Sequence, residues 1–272
     1  MKKRKLRPGR FVPLLAGIVY IIPILMLVNN SFKTQGEIAT NFLALPTHLS
    51  FDNIIKAAET LHYWIAFRNT AIVTVLVTVG ACVSAFMCAY GISHLGKKLS
   101  NAIYMLFVLG QMVPFFAIMV PVYVNASKLG LTDSFIGLAI YGIGFNVSFG
   151  MVMYTGFLKT VTRELEEAAE IDGSGVLTTM FRIVFPLVGP TTATVCVLYF
   201  LWTWNDFLFP SLMMSGVEHR TLMTNIANFK TTTTTRWDLM IAGLMICIIP
   251  VVVVYLLAQK YIVKGITAGA IK

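Results

Sequence analysis

The sequence predicts an all-α polytopic membrane protein with six transmembrane helices, and three observations carry that prediction. The first is composition. The 272 residues are 57% hydrophobic and only 12% charged, whereas soluble domains carry roughly 25% charged residues. Mean hydropathy is +0.78. Disordered tails and nucleic-acid-binding segments need dense charge, so both are excluded. The second observation is the length of the charge-free runs, and the third is the lopsided placement of positive charge.

Six long intervals contain no Asp, Glu, Lys or Arg: residues 11–32, 69–96, 99–127, 134–158, 183–205 and 239–259. About 20 apolar residues cross a hydrocarbon core ~30 Å thick at a rise of ~1.5 Å each. Every interval reaches that length. Lipid leaves only helices or closed barrels as ways to satisfy the backbone, and a barrel shows short alternating segments instead. The expected layout is a basic N-terminus over 1–10, one membrane domain over 11–262 and a tail over 263–272. Its spans fall near 11–32, 69–95, 101–126, 134–158, 183–205 and 239–259.

The first run follows six basic residues between Lys2 and Arg10, as a secretory signal would. A signal's apolar region is about 7–15 residues long. This run is longer, holds Pro13 and Pro23 and closes on Asn29 and Asn30, so an uncleaved anchor is expected. The stretch 38–51 is too polar to span and reads as loop. Segment 52–68 has helical apolar spacing with an aromatic end, as an interfacial helix does. Pro114 and Pro121 are expected to kink the third span. Glycines 137, 142, 144, 150 and 156 are expected to let the fourth pack closely.

Six crossings put both termini on one side, and positive charge selects the cytoplasmic side. With the termini inside, the inner segments hold 14 Lys or Arg against 7 outside, and 5 acids against 7. The whole net charge of +9 therefore lies on one face. This basicity is a topology signal, not a nucleic-acid footprint.

Metal and nucleotide chemistry lack their residues. Cys82, Cys88, Cys196 and Cys247 all fall in spans with no CxxC spacing, and the four histidines show no ligand spacing. Gly91 to Lys97 fits GxxxxGK, but Lys98 stands where a P-loop needs the Ser or Thr that binds magnesium. No metal or cofactor is expected on this chain. A membrane-embedded enzyme would need converging ionisable groups, and the spans have none.

All five inner acids lie in the loop 159–182: Glu164, Glu166, Glu167, Glu170 and Asp172. Residues 163–172 are good helix formers, Gly173 and Gly175 end that helix, and a second short helix precedes Pro186. Two short helices with a glycine elbow make a rigid knob suited to a partner's groove. The order Glu167-Ala168-Ala169, then Gly173, Ile183 and Pro186, resembles the EAA signature of ABC importer permeases. One position departs, with Phe185 in place of the family's Leu. Met112-Val-Pro114, Ala117 to Pro121, Leu129 to Asp133, Trp204-Asn-Asp-Phe207 and Gln259 to Gly269 resemble the carbohydrate branch, specifically the shorter permease of the maltose-transporter type.

The resemblance implies a bacterial inner-membrane, multi-pass subunit of a type I importer that is not itself catalytic. Its partners would be a second homologous permease, two cytoplasmic ATPase subunits that carry ATP and magnesium, and an extracytoplasmic sugar-binding protein. Loop 159–182 would be the coupling helix, with Glu167, Ala168, Ala169, Gly173, Ile183 and Pro186 as its working residues. The tail, through Gly265, Thr267 and Gly269, would run as an extended peptide along the ATPase interface. In the external loop 206–238, Glu218, His219, Arg220, Leu222 and Asn225 would meet the binding protein. Gln111, Asn146, Tyr199, Trp202 and Asp206 are candidates for the sugar's path, because sugar sites combine aromatic faces with hydrogen-bonding groups. Alternatives are a permease for a polyol or glycerol phosphate and, from another class, an ion-coupled secondary transporter.

Overall fold

The computed structural model describes the backbone of residues 11–230 and 234–270, and the side chains of 15–230 and 234–259. The basic segment 1–10 lies outside the described residues. In chain order the helices are α1 Phe11–Ser31, α2 Gln35–Thr40, α3 Asp52–Thr60, α4 Tyr63–Ser93, α5 Lys97–Gln111, α6 Phe115–Lys128 and α7 Phe135–Leu158. They continue with α8 Glu164–Ile171, α9 Val176–Leu187, α10 Gly189–Trp204, α11 Leu208–Met213, α12 Leu222–Ile226 and α13 Trp237–Ala270. Among the described residues α4, α7 and α13 are long and apolar enough to cross a membrane unbroken, and the pairs α5–α6 and α9–α10 do so with a bend. The 21-residue α1 is the sixth apolar helix. Apolar side chains stay outward along these helices, Tyr20 at 80% exposure and Val75 at 60% among them. Lipid, unlike water, makes that exposure costless.

The two bends are sharper than the sequence suggests. The expected third span is two helices meeting at 96°. Met112, Val113 and Pro114 separate them; Pro114 has no N–H to give and holds the residue before it out of helical geometry. Pro121 sits inside α6 without ending it. The fifth span begins earlier than expected, at Val176, and turns by 81° at Val188. Pro190 then stands near the start of α10, where a missing N–H does no harm.

Other boundaries also move. His62, at φ 47°, separates α3 from α4, so the segment expected as one interfacial helix over 52–68 is divided, and residues from Tyr63 on open the second span. Arg68 marked the end of the charge-free run, yet a long cationic side chain near a helix end reaches the interface and does not stop the helix. The tail is a correction as well. The α13 backbone stays helical to Ala270 instead of becoming extended after Lys260. Two glycines at about 1 kcal/mol each do not halt a helix already nucleated over a long apolar stretch. The side chains of Gly265, Thr267 and Gly269 lie outside the described residues.

The chain forms two compact units: residues up to Trp64 with Asn225–Ile249, and Ile65–Thr224 with the residues from Pro250 on. In the second unit the core is aromatic and small-residue packing. Phe86 lies edge-on to Tyr154 and Phe185, with centroids 5.6 and 4.9 Å away. Gly137 permits the closest approach, because a Cβ there would meet the Leu131 carbonyl oxygen at 1.9 Å, and at Gly150 one would meet the Tyr199 hydroxyl at 2.3 Å and Ala85 at 2.7 Å. Gly142 likewise faces Val77, whereas Gly144 and Gly156 face open space and do not serve the packing expected of them.

Candidate functional site

The inner knob is built by local rules. Three acids, Glu164, Glu166 and Glu167, occupy the first turn of α8, where the exposed N–H groups favour negative charge. At the other end Gly173 adopts φ +82°, its N–H donating to Glu170 O and that of Ser174 to Ala169 O. This is a Schellman stop, and its left-handed residue is best filled by glycine. Gly175 is extended and opens α9. Between Thr179 and Val184 the helix widens to π geometry, with the Phe185 N–H reaching back to Met180 O. Pro186 follows, and a residue with no N–H fits a turn whose bonds have slipped by one.

Of the expected coupling residues, Glu167, Ala168 and Gly173 are exposed, Ala169 is buried under the knob, Ile183 is half-buried and Pro186 is exposed before the bend. The knob also presents apolar side chains that the signature does not name. Ile171 is 87% exposed, Val176 72% and Leu177 66%. A different acid faces inward. Glu166 Oε2 accepts from the Tyr90 hydroxyl at 2.7 Å and lies 2.8 Å from His94 Nε2. The Arg163 guanidinium donates to Ser93 O at 3.0 Å. These contacts tie the knob to the C-terminal end of α4, and adjacent acids on a helix point about 100° apart. Helical spacing alone did not say which acid turned inward.

The external loop behaves differently. Asn69, fully buried near the N-terminal end of α4, donates to Glu218 O at 2.7 Å and Arg220 O at 3.0 Å. The Thr70 hydroxyl accepts from Leu222 N at 2.9 Å. Leu222 is fully buried, so it cannot meet a docked protein and is a correction. In the first unit Asn225 is buried too, donating to Leu61 O at 2.9 Å; it fixes the chain's own fold. The Glu218 side chain is exposed and His219 and Arg220 are partly so. His219 Nδ1 lies 3.3 Å from Asp133 Oδ1. Asp133 also accepts from Gly216 N at 3.0 Å and donates its own N–H to Met213 O at 2.8 Å. Burial raises the Asp133 carboxyl, but the Gly216 and Ser215 N–H groups and His219 outweigh it and hold the group below its ordinary range.

Within the second unit a cavity of about 1070 Å³ opens beside the α5–α6 break. Gln111, Asn146, Trp202 and Asp206 all line it, and Thr203 joins them. Phe115, Phe145 and Phe209 meet edge to face along its wall, with centroids 5.2–5.8 Å apart. Tyr199 is the exception. It is fully buried, donating from its hydroxyl to Asn146 O at 2.6 Å, and supports the wall from behind. Burial pushes the Asp206 carboxyl up, against the Phe209 and Leu208 N–H groups that lower it. Aromatic faces with a few fixed polar groups suit an uncharged polyhydroxylated ligand. Elsewhere, the GxxxxGK run ends α4 and begins α5, without the strand a nucleotide loop requires.

Three unbroken apolar crossings and two bent ones among the described residues, with a cavity inside the second unit, define a membrane transport permease. The chain belongs to the family described as binding-protein-dependent transport system inner membrane component, which it matches over residues 79–268. It is 40% identical over 263 residues to a probable starch degradation products transport system permease protein of Thermoanaerobacterium thermosulfurigenes, covering 96% of this chain and 95% of that one. Identity to the melibiose/raffinose/stachyose import permease protein of Bacillus subtilis is 31%, with both chains covered fully. In fold it resembles a chain of a bacterial ABC transporter that imports the acidic polysaccharide alginate, with TM-score 0.76 and 22% identity, covering 96% of this chain and 99% of that one.

Proposed function

We propose that this chain is the translocating subunit of a bacterial ATP-driven importer, passing a sugar handed over by an external binding protein. The observation that carries this reading is the knob: a stiff α8 stopped by Gly173, with Glu167, the apolar Ile171 and, from α9, Val176 and Leu177 turned outward together. Three large apolar residues left in water on a short rigid element mark a protein contact. The partner is an ATPase subunit, which holds ATP and magnesium. A second permease completes the pathway, two ATPases drive it, and both termini face the cytoplasm. The exposed part of the external loop, around Val217 and Glu218, meets the binding protein, and the end of α13 lies against the ATPases.

Sugar as the cargo is supported by the names of the relatives, which carry starch degradation products and the melibiose group, and by the aromatic cavity. Asp206 lies among the cavity's lining residues and no Lys or Arg does, which weighs against an anionic solute such as glycerol phosphate. The test is ATP hydrolysis by the assembled complex in proteoliposomes, with its binding protein and a panel of saccharides. Stimulation by one class of neutral saccharide is expected. Stimulation by glycerol phosphate alone, or none by any saccharide, would refute the cargo.

A further inference from the structure

Helix α4 is held at both ends by different parts of the machine. Near its start, buried Asn69 and Thr70 clamp the external loop through Glu218 O, Arg220 O and Leu222 N. At its other end Tyr90 and His94 hold Glu166 of the knob, and Ser93 O receives Arg163. Between the two ties run 21 residues, about 32 Å of helix at ~1.5 Å per residue. Along that length Val73, Val77, Ala81, Ala85 and Ala89 form an i, i+4 row, none more than 2% exposed. No proline interrupts it. The α5–α6 and α9–α10 crossings packed in the same unit are bent by 96° and 81°, whereas α4 is continuous.

From this geometry we infer that α4 is a push-rod: Asn69 at its outer end and the Tyr90–His94 pair at its inner end are positioning residues that transmit binding-protein docking to the ATPase knob. The inference rests on the assignment of the two loops to those partners and adds the path between them. A straight, closely packed helix moves as a unit, so a displacement of loop 216–222 reaches α8 without being absorbed at a hinge. The broken crossings border the cavity and are free to reshape while the rod moves. Coupling of this kind needs both ties; severing either disconnects the ends.

Two variants sever the ties. Asn69→Ala with Thr70→Val removes the side-chain groups of the outer clamp, and Tyr90→Phe with His94→Ala and Arg163→Ala removes those of the inner one. Each is reconstituted with the ATPases, and ATP hydrolysis is measured with and without saturating binding protein and sugar. Each variant is expected to assemble, to keep basal hydrolysis within about twofold, and to lose stimulation at least about fivefold, the lower bound of ordinary allosteric coupling. The combined variant is expected to lose no more than the more damaged of the two singles, because one rod cannot be disconnected twice. Independent structural defects so far apart multiply instead, and multiplied losses would overturn the proposal. So would full stimulation in either variant, or failure of either to assemble, which would make the tie a folding contact. Glu166→Gln, which keeps an oxygen for Tyr90, is expected to retain most stimulation that Glu166→Ala loses; equal loss in both counts against the tie. An unmutated complex that no binding protein stimulates refutes the loop assignments themselves, a result distinct from all of these.

Discussion

The two long connectors of the second unit, inner 159–182 and outer 206–224, differ in composition, with eight charged residues against three, and in construction. The inner one turns apolar side chains outward and fastens itself by polar groups, Glu166 and Arg163, to the end of α4. The outer one buries its apolar and hydroxyl residues, Leu222 at 0% and Thr221 at 4% exposure, and leaves Val217 and Glu218 at its surface. Polar fastening with apolar display suits a permanent, dehydrated seat. A loop held from within, by Asn69 and Thr70 on its backbone and by the burial of Leu222, with a small exposed tip, suits a partner that comes and goes. The difference accords with the proposed ATPase contact at one end of α4 and the proposed binding-protein contact at the other.

The strongest way to break that contrast is at the elbow. Gly173→Pro cannot adopt φ +82°, since proline is fixed near −65°. Membrane insertion is expected to be normal and transport to fall at least about tenfold, as a displaced knob loses coupling worth more than ~1.4 kcal/mol. Glu167→Lys, on the exposed face, is expected to act in the same direction. Sugar uptake in vesicles, set against the amount of protein in the membrane, checks both.

Next in size is the outer loop's fastening. Leu222→Ala is expected to lower stability by about 2–5 kcal/mol, the range for a buried leucine, whereas Val217→Ala, 56% exposed, is expected to stay within about 0.5 kcal/mol. Thermal melting in detergent separates them, and equal shifts would erase the distinction between the loop's inside and outside. Smaller again, Ile171→Ser is expected to leave that melting unchanged but weaken ATPase association by about 1.5–3 kcal/mol, the worth of burying one such side chain. Affinity of the solubilised permease for its ATPase reads this out.

The smallest effect is acid sensitivity of the outer loop. Asp133 is held below the ordinary carboxylate range, so its contribution is present above ~3.9, the unfolded value, and is lost as pH falls below it. Because the side chain is still 36% exposed and so screened by water and salt, the loss is expected to stay under about 1 kcal/mol. Wild type is expected to lose slightly more thermal stability than Asp133→Asn between pH 5 and pH 3; an identical profile would remove the Asp133–His219–Gly216 tie from the account.

Much of this was legible in the amino acids. The spans follow from charge-free length, a property of composition that lipid enforces whatever the packing. Gly173 was readable as a stop because only a left-handed residue completes that motif. What was hidden depended on rotation and neighbours. Glu166 and Glu167 are alike in a string, yet about 100° apart on a helix, and only Glu166 reaches α4. Tyr199 and Trp202 lie within one turn, yet one is sealed behind the wall and the other lines the cavity. Asn69 looked like the polar edge of a span, because a clamp on carbonyls 149 and 151 residues away leaves no local pattern. The proline at 114 announced a bend, but not that two helices would meet at 96°.

The central claim, that the knob seats on an ATPase beneath the membrane, is tested most directly by Ile171→Cys in native vesicles, its thiol carrying a short maleimide reagent whose photoactivated second arm inserts into any neighbouring side chain. The account predicts a crosslinked product of permease with ATPase subunit, and labelling of Cys at 171 by a membrane-impermeant thiol reagent only when the cytoplasmic face is open to it. Labelling from the exterior of intact cells, or no ATPase adduct in membranes where the complex transports sugar, would contradict it.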